Sequence, residues 1–520
     1  MNRRLPLLFT LLALPVLVGS LLFVNQLYAG TADICPSGCT YVSIQDAVTN
    51  GPENTPLTIA AGTFTENVSI SRSVILVGAG SGQTIIDGNA ADSVIMISGA
   101  VNVSISGVTI RNGDASGVDG GGLLNEGSTV TLSNSVVENN LAPNGAGITN
   151  DGTMTLNSVT VRNNTADELV NNVSICNDCA GGGILNLDVM TVTNSIIHGN
   201  KADFGGGIDN AAMGHLTATN ITVYDNVAEN TVSQGGGIEN LGVMSVTGSE
   251  VRNNTARNGA GLFNEGTLTV SSSNIHDNTA DGRGGGLHNS FSLTVQTSNI
   301  HHNQAGGGGG GGISTESGTV VLDQSAVYSN TATGSGGGIV NNVDAVTGVN
   351  SFTITNSTIS GNGTAGQGGG LRNAGSAVTH LNNVTFSDNS STVVNGQTIS
   401  VLAGTVTAKN TIIAISGSGS NCSGTVTSQG YNIVSDNTCQ LAGTADLKNT
   451  NPRLGPLQNN GGTTLTHALL LGSPAINSGS GCPAVDQRGV ARPFGPACER
   501  GAYEYDQVVL NVYLPLIVRP

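Results

Sequence analysis

The stretch Gly235-Gly236-Gly237-Ile238-Glu239-Asn240-Leu241-Gly242-Val243-Met244-Ser245-Val246-Thr247-Gly248-Ser249-Glu250-Val251-Arg252-Asn253-Asn254 is one unit of a repeat. It opens on Gly-(Gly/Ala)-Gly-(Ile/Leu)-x-Asn, and the same opening ends at Asn125, Asn150, Asn186, Asn210, Asn240, Asn264, Asn289, Thr315, Asn341 and Asn373. Only Thr315 breaks the final asparagine. A spacing of about 25 residues is that of one coil of a solenoid.

A second marker lies between the openings: Asn140, Asn164, Asn200, Asn226, Asn254, Asn278, Asn303, Asn330, Asn362 and Asn389. Three residues before it stand Val137, Val161, Ile197, Val223, Val251, Ile275, Ile300, Val327, Ile359 and Phe386. Eight before it every residue is again apolar, from Leu132 to Leu381, and five before it serine is commonest. Alternation with period two means short strands. Glycine and asparagine suit the corners because they tolerate left-handed backbone. The chain is therefore expected to be all-β, a right-handed single-stranded parallel β-helix with three short strands per coil. Stacked asparagines should bond to one another along its axis.

Composition narrows the function. The 520 residues include 76 glycines and no tryptophan, with 10% charged and 3% aromatic side chains. Acid outweighs base, 34 to 17, for a formal charge of −17. Such a surface repels nucleic acid and polyanionic substrates, so no nucleic-acid partner is expected. Arg3 and Arg4 precede an apolar run from Leu5 to Val24, and Leu27-Tyr28-Ala29 offers a cleavage site, the pattern of an export signal; the run is long for one, and an uncleaved anchor is the alternative. The eight cysteines fall into local pairs, Cys35/Cys39, Cys176/Cys179, Cys422/Cys439 and Cys482/Cys498. An even count in an exported chain favours disulfides. Cys176-Asn-Asp-Cys179 could instead be half a zinc site, but no second such pair lies near, and a loop-stapling disulfide is the better reading.

The opening Ala60-Ala61-Gly62-Thr63-Phe64-Thr65-Glu66-Asn67 and the repeats after it resemble bacterial pectin-lyase-like β-helix proteins, over about residues 41–440. That superfamily mixes lyases, hydrolases, adhesins and silent surface proteins, so the resemblance implies fold before activity. After residue 445 the repeat stops. Asn451-Pro452-Arg453-Leu454-Gly455-Pro456-Leu457, Asn460-Gly461-Gly462-Thr463, Gly472-Ser473-Pro474-Ala475-Ile476, Asp486-Gln487-Arg488-Gly489 and Gly501-Ala502-Tyr503-Glu504 follow in order. This set resembles the choice-of-anchor Q domain of bacterial surface proteins, which implies retention at the envelope. The expected organisation is a signal peptide at 1–29, an N-terminal cap at 30–56, β-helix repeats at 57–445, the choice-of-anchor Q-like domain at 446–506 and an apolar tail at 507–520.

Two columns of the solenoid could carry chemistry. The variable position of the opening reads Asp209 then Glu239 on adjacent coils, which would stack two carboxylates about 5 Å apart, near the separation of retaining glycosidases. Phe263 and His288 follow in that column, and no third catalytic group supports the pair. The outward position two before the marker asparagine reads Glu138, Arg162, His198, Tyr224, Arg252, His276, His301 and Tyr328. A stripe of Arg, His and Tyr suits binding. No phosphate loop, hydrolase elbow or metal motif occurs, and neither cofactor nor metal is expected. The sequence thus points to an extracellular or cell-surface β-helix, noncatalytic, contacting a glycan or a surface protein. The alternative is a carbohydrate-active enzyme, hydrolase before lyase.

Overall fold

In the computed structural model the described residues are 33–505, apart from 168, 171–172, 175–177, 344–349, 394 and 416–418. The leader, the C-terminal tail and Cys176 of the expected Cys176–Cys179 pair lie outside them.

The coil containing Asn240 explains the rest. Ile238–Asn240 pairs in parallel with Ile208–Asn210 and Leu262–Asn264, and Val243–Thr247 with His215–Thr219 and Thr267–Ser271. These two stretches belong to one sheet, fused where Leu123–Ser133 and Ile148–Asn157 run through both. Glu250–Arg252 joins a second sheet of 15 strands, and Thr255–Asn258 a third of 10. The chain is a right-handed parallel β-helix with three sheets, the first of which takes two bent stretches from each coil.

The inward residues meet in one continuous core. Val137, Val161, Ile197, Val223, Val251, Ile275, Ile300 and Val327 are fully buried, as are Leu132, Leu156, Val192, Val270 and Leu322. Each such side chain contributes about 2 kcal/mol on burial. No coil could bury its own apolar face, so stability comes from stacking.

Two asparagine ladders hold the corners. Nδ2 of Asn254 donates to Oδ1 of Asn278 at 3.0 Å, and the same oxygen accepts the Asn254 backbone N–H at 3.0 Å. The pattern runs unbroken from Asn140 to Asn389. The second ladder links Asn125 to Asn289 and stops at Thr315. There Asn350 intervenes, donating to Thr315 Oγ1 at 3.1 Å and Asn341 Oδ1 at 2.8 Å. The glycine opening is equally dictated. Gly235 has φ 62°, and a Cβ on Gly236 would lie 2.3 Å from the Thr255 carbonyl oxygen.

At the N-terminal end the helix Ile44–Asn50 buries Ile44, Ala47 and Val48 over the first coil. Ser43 caps it, and the Glu66 carboxylate accepts from the N–H groups of Ile44 and Gln45. At the other end the chain turns back. The antiparallel pair Leu454–Gln458 and Thr466–Leu469 leads a segment that docks on the outside of the second sheet. Thr358 donates to Gln487 Oε1 at 2.6 Å, Asn383 donates to the Glu499 carbonyl at 2.9 Å, and Gln324 donates to the Asp486 carbonyl at 3.1 Å. Inside the segment, buried Arg488 and Arg492 pair with Asp486 and Glu504. Three disulfides lie wholly among the described residues: Cys35–Cys39, Cys422–Cys439 and Cys482–Cys498.

Candidate functional site

The second sheet brings the whole outward stripe into one column. Its register stacks Glu138, Arg162, His198, Tyr224, Arg252, His276, His301 and Tyr328 on successive rungs. Asp87 and Arg111 extend the column below Glu138. On either side of the Arg162–His198 step the rungs are tied together by a chemistry their side chains dictate. Arg162 bonds Glu138 through Nε at 2.7 Å. His198 and Tyr224 stack at 4.7 Å, within 5° of parallel, and the Arg252 guanidinium lies 4.4 Å from the Tyr224 centroid on its other face. Glu250 bridges Arg252 to His276, at 3.5 and 3.0 Å. His276, His301 and Tyr328 then stack at 4.8 and 4.7 Å.

This stacking decides what the stripe can offer. Ring faces are taken up by neighbouring rungs, so edges point outward. The surface is a comb of imidazole nitrogens, a guanidinium and phenol hydroxyls rather than a set of flat platforms. Burial lowers the pKa of His198, and burial with the adjacent His276 and His302 brings His301 down to about 4. Those imidazoles are neutral at pH 7. The column continues into Ser360, where the docked segment covers it: Ser360 donates to Nε2 of His467, whose Nδ1–H donates to the Gly455 carbonyl. The uncovered stripe therefore ends at Tyr328.

The first sheet places Asp209 beside Glu239 on adjacent rungs. Both are nearly sealed, 4% and 3% exposed, and Oδ1 of Asp209 and Oε2 of Glu239 have no hydrogen-bond partner among the described residues. Desolvation raises both carboxyl pKa values, and the Asp209 charge raises Glu239 further. Such a pair holds a proton at neutral pH. Neither carboxylate lines the cavity described next.

A cavity of ≈ 480 Å³ does open on the next coils of the same column, and the sequence reading passed over it. Its walls include Arg257, Glu265, Arg283, His288, Ser290 and Glu316. His288 stacks on Phe263 at 5.1 Å and is 3% exposed. Burial drives its pKa down to about 3, and its Nδ1 has no hydrogen-bond partner among the described residues. Arg283 pairs with Glu316, whose other oxygen lies 3.7 Å from His288 Nε2. The signal for this site was present in the sequence. In a chain with few charges, four of them flank the glycine opening on consecutive coils.

No protein-family model matches this chain, and no curated protein matches it either. Among solved structures it is similar to the A-module of the Azotobacter vinelandii mannuronan C-5 epimerase AlgE6, at 14% identity and TM-score 0.30, covering 72% of this chain and 93% of that one. The A-module of AlgE4 from the same organism matches at 14% identity and TM-score 0.30, covering 73% and 94%. Pectate lyase Pel9A matches at 12% identity and TM-score 0.22, covering 92% and 95%.

Proposed function

We propose that this chain is an exported, noncatalytic β-helix that binds an extended polar polymer, a glycan first, along the second sheet. The observation that carries the reading is the unbroken register from Glu138 to Tyr328, along which every step but Arg162 to His198 also carries a side-chain contact or a carboxylate bridge. Its seven rung spacings of ~4.8 Å make a straight comb about 34 Å long, a shape suited to a chain rather than to a compact ligand. Neutral His198 and His301 and paired arginines favour a hydroxyl-rich polymer over a polyanion, in keeping with the overall charge of −17. Three disulfides fit an oxidising compartment. The resemblance of the docked C-terminal segment to a choice-of-anchor Q domain supports retention at the cell surface.

The test is binding of the purified chain to an array of plant, fungal and bacterial polysaccharides, repeated with Tyr224→Ala. That side chain contacts His198 on one face and Arg252 on the other, so its loss opens the comb at its middle. Binding should weaken about tenfold, the effect of a lost central anchor. Equal binding by both proteins, or none by either, would sink the reading. Release of new reducing ends from any polysaccharide would favour the carbohydrate-active enzyme instead.

A further inference from the structure

We propose that the cavity between Arg257, Glu265, Arg283, His288 and Glu316 is a second binding site, separate from the stripe, which takes one neutral sugar unit. This rests on the same glycan reading but on a different sheet. The volume of ≈ 480 Å³ falls within the range of small-molecule sites. Its walls are mostly polar and mixed: guanidinium donors, carboxylate acceptors, the amides of Gln234 and Asn258 and the hydroxyl of Ser290. Two cations oppose two anions, so the site selects no net charge. A ring carrying several hydroxyls, each able to donate and accept, matches such a wall better than a phosphate or a carboxylate.

The wall is also built in advance. His288 lines it, buried and stacked on Phe263, beside the Arg283–Glu316 ion pair, so the polar groups around the cavity are held in place before a ligand enters. Arg257 and Glu265 are exposed at the rim, free to close on an entering ring. Gly307 lines the opening, and a Cβ there would meet no atom within 4 Å.

That open glycine supplies the decisive variant. Gly307→Trp should plug the cavity without disturbing a neighbour, since its backbone is not left-handed and its Cβ direction is empty. Saturation-transfer NMR would be run on the full chain with glucose, galactose, mannose, N-acetylglucosamine, cellobiose and maltose at millimolar concentration. At least one sugar should give a signal that disappears in Gly307→Trp and weakens about tenfold in Arg257→Ala or Glu265→Gln, a polar anchor's share. Tyr224→Ala should keep the signal. Thermal melting of each variant checks that the solenoid is intact. No signal from any sugar, or a signal unchanged by Gly307→Trp, would overturn the second site. Loss of polymer binding in Tyr224→Ala with no cavity signal would leave the stripe standing alone. A cavity signal without polymer binding would do the reverse.

Discussion

Asn254 and Asn278 lie on adjacent coils, and Oδ1 of Asn278 accepts two hydrogen bonds from Asn254, one from its side chain and one from its backbone. Nδ2 of Asn254 also donates to the Val223 carbonyl at 3.1 Å, one coil back. Oδ1 of Asn254 accepts in turn from Asn226. One amide thus ties three coils together at a corner where the preceding residue, Asn253, has φ 54°. No other side chain supplies a planar acceptor and a donor in the same reach. Aspartate lacks the donor, and glutamine is a methylene too long.

Replacing Asn254 by alanine should therefore cost about 3 kcal/mol, since it strands the buried Asn226 N–H and the Val223 carbonyl together. Leucine should cost more, because it adds apolar bulk beside those stranded groups. Urea denaturation of the two variants against the parent checks this. The loss should be local, with hydrogen exchange fastest on the coils around Asn226 and Asn278.

The buried acids predict the opposite sign. Asp209 and Glu239 have folded pKa values raised above the unfolded ones, so the folded state binds more protons. Their contribution is fully present below about pH 4 and is lost as pH rises through the folded values. Asp209→Asn or Glu239→Gln should raise stability by about 1–3 kcal/mol at pH 8. The gain should shrink toward zero as pH falls to 4. Denaturation at both pH values decides it, and a variant that loses stability at pH 8 would mean the charged pair has a partner.

The repeat made the fold legible, because its asparagines and inward aliphatics recur in positions that only stacked coils explain. The stripe was legible for the same reason: a column of outward residues needs only the period. Its internal stacking was not, since whether His198 lies face to face with Tyr224 depends on rotamers that spacing does not set. The burial of Asp209 and Glu239 was also hidden. The period places the two on adjacent rungs, but it does not show how closely the left-handed first glycine of each opening, Gly205 and Gly235, folds back against them. The cavity beside His288 escaped as well, because Arg257, Arg283 and Glu316 lie at unequal offsets in coils of unequal length.

The histidines set the acid limit. His288 and His301 have pKa values of about 3 and about 4, lowered chiefly by burial, whereas the unfolded chain takes up their protons near pH 6.5. Stability is then present above pH 6.5 and falls as pH drops toward 4. In that window Asp209 and Glu239 act the other way, so the parent chain should show a shallow slope. His288→Phe keeps the stack on Phe263 and removes one titration. Its stability should rise relative to the parent below pH 5, while at pH 8 the two differ less. Melting temperatures across this range check it.

The C-terminal segment should come away from the sheet before the solenoid melts. It is held to the rungs at Gln324, Thr358, Ser360 and Asn383 by hydrogen bonds, each worth about 1 kcal/mol, and its apolar hold is one small cluster, Leu469, Ala475 and Tyr503 against Ile412, Ala414 and Ile433, beside the continuous core of the coils. The Cys482–Cys498 link closes 16 residues of this segment beside Asn383 and Asn410. Replacing both cysteines by serine should cost the segment about 3 kcal/mol through the entropy of its open loop. Limited proteolysis should then cut within 455–500 while the coils before residue 440 stay protected. Uncovering Ser360 and Ser387 would lengthen the free stripe by two rungs, so the same variant should bind polymer at least as well as the parent. Weaker binding would mean that the docked segment itself contributes to the site.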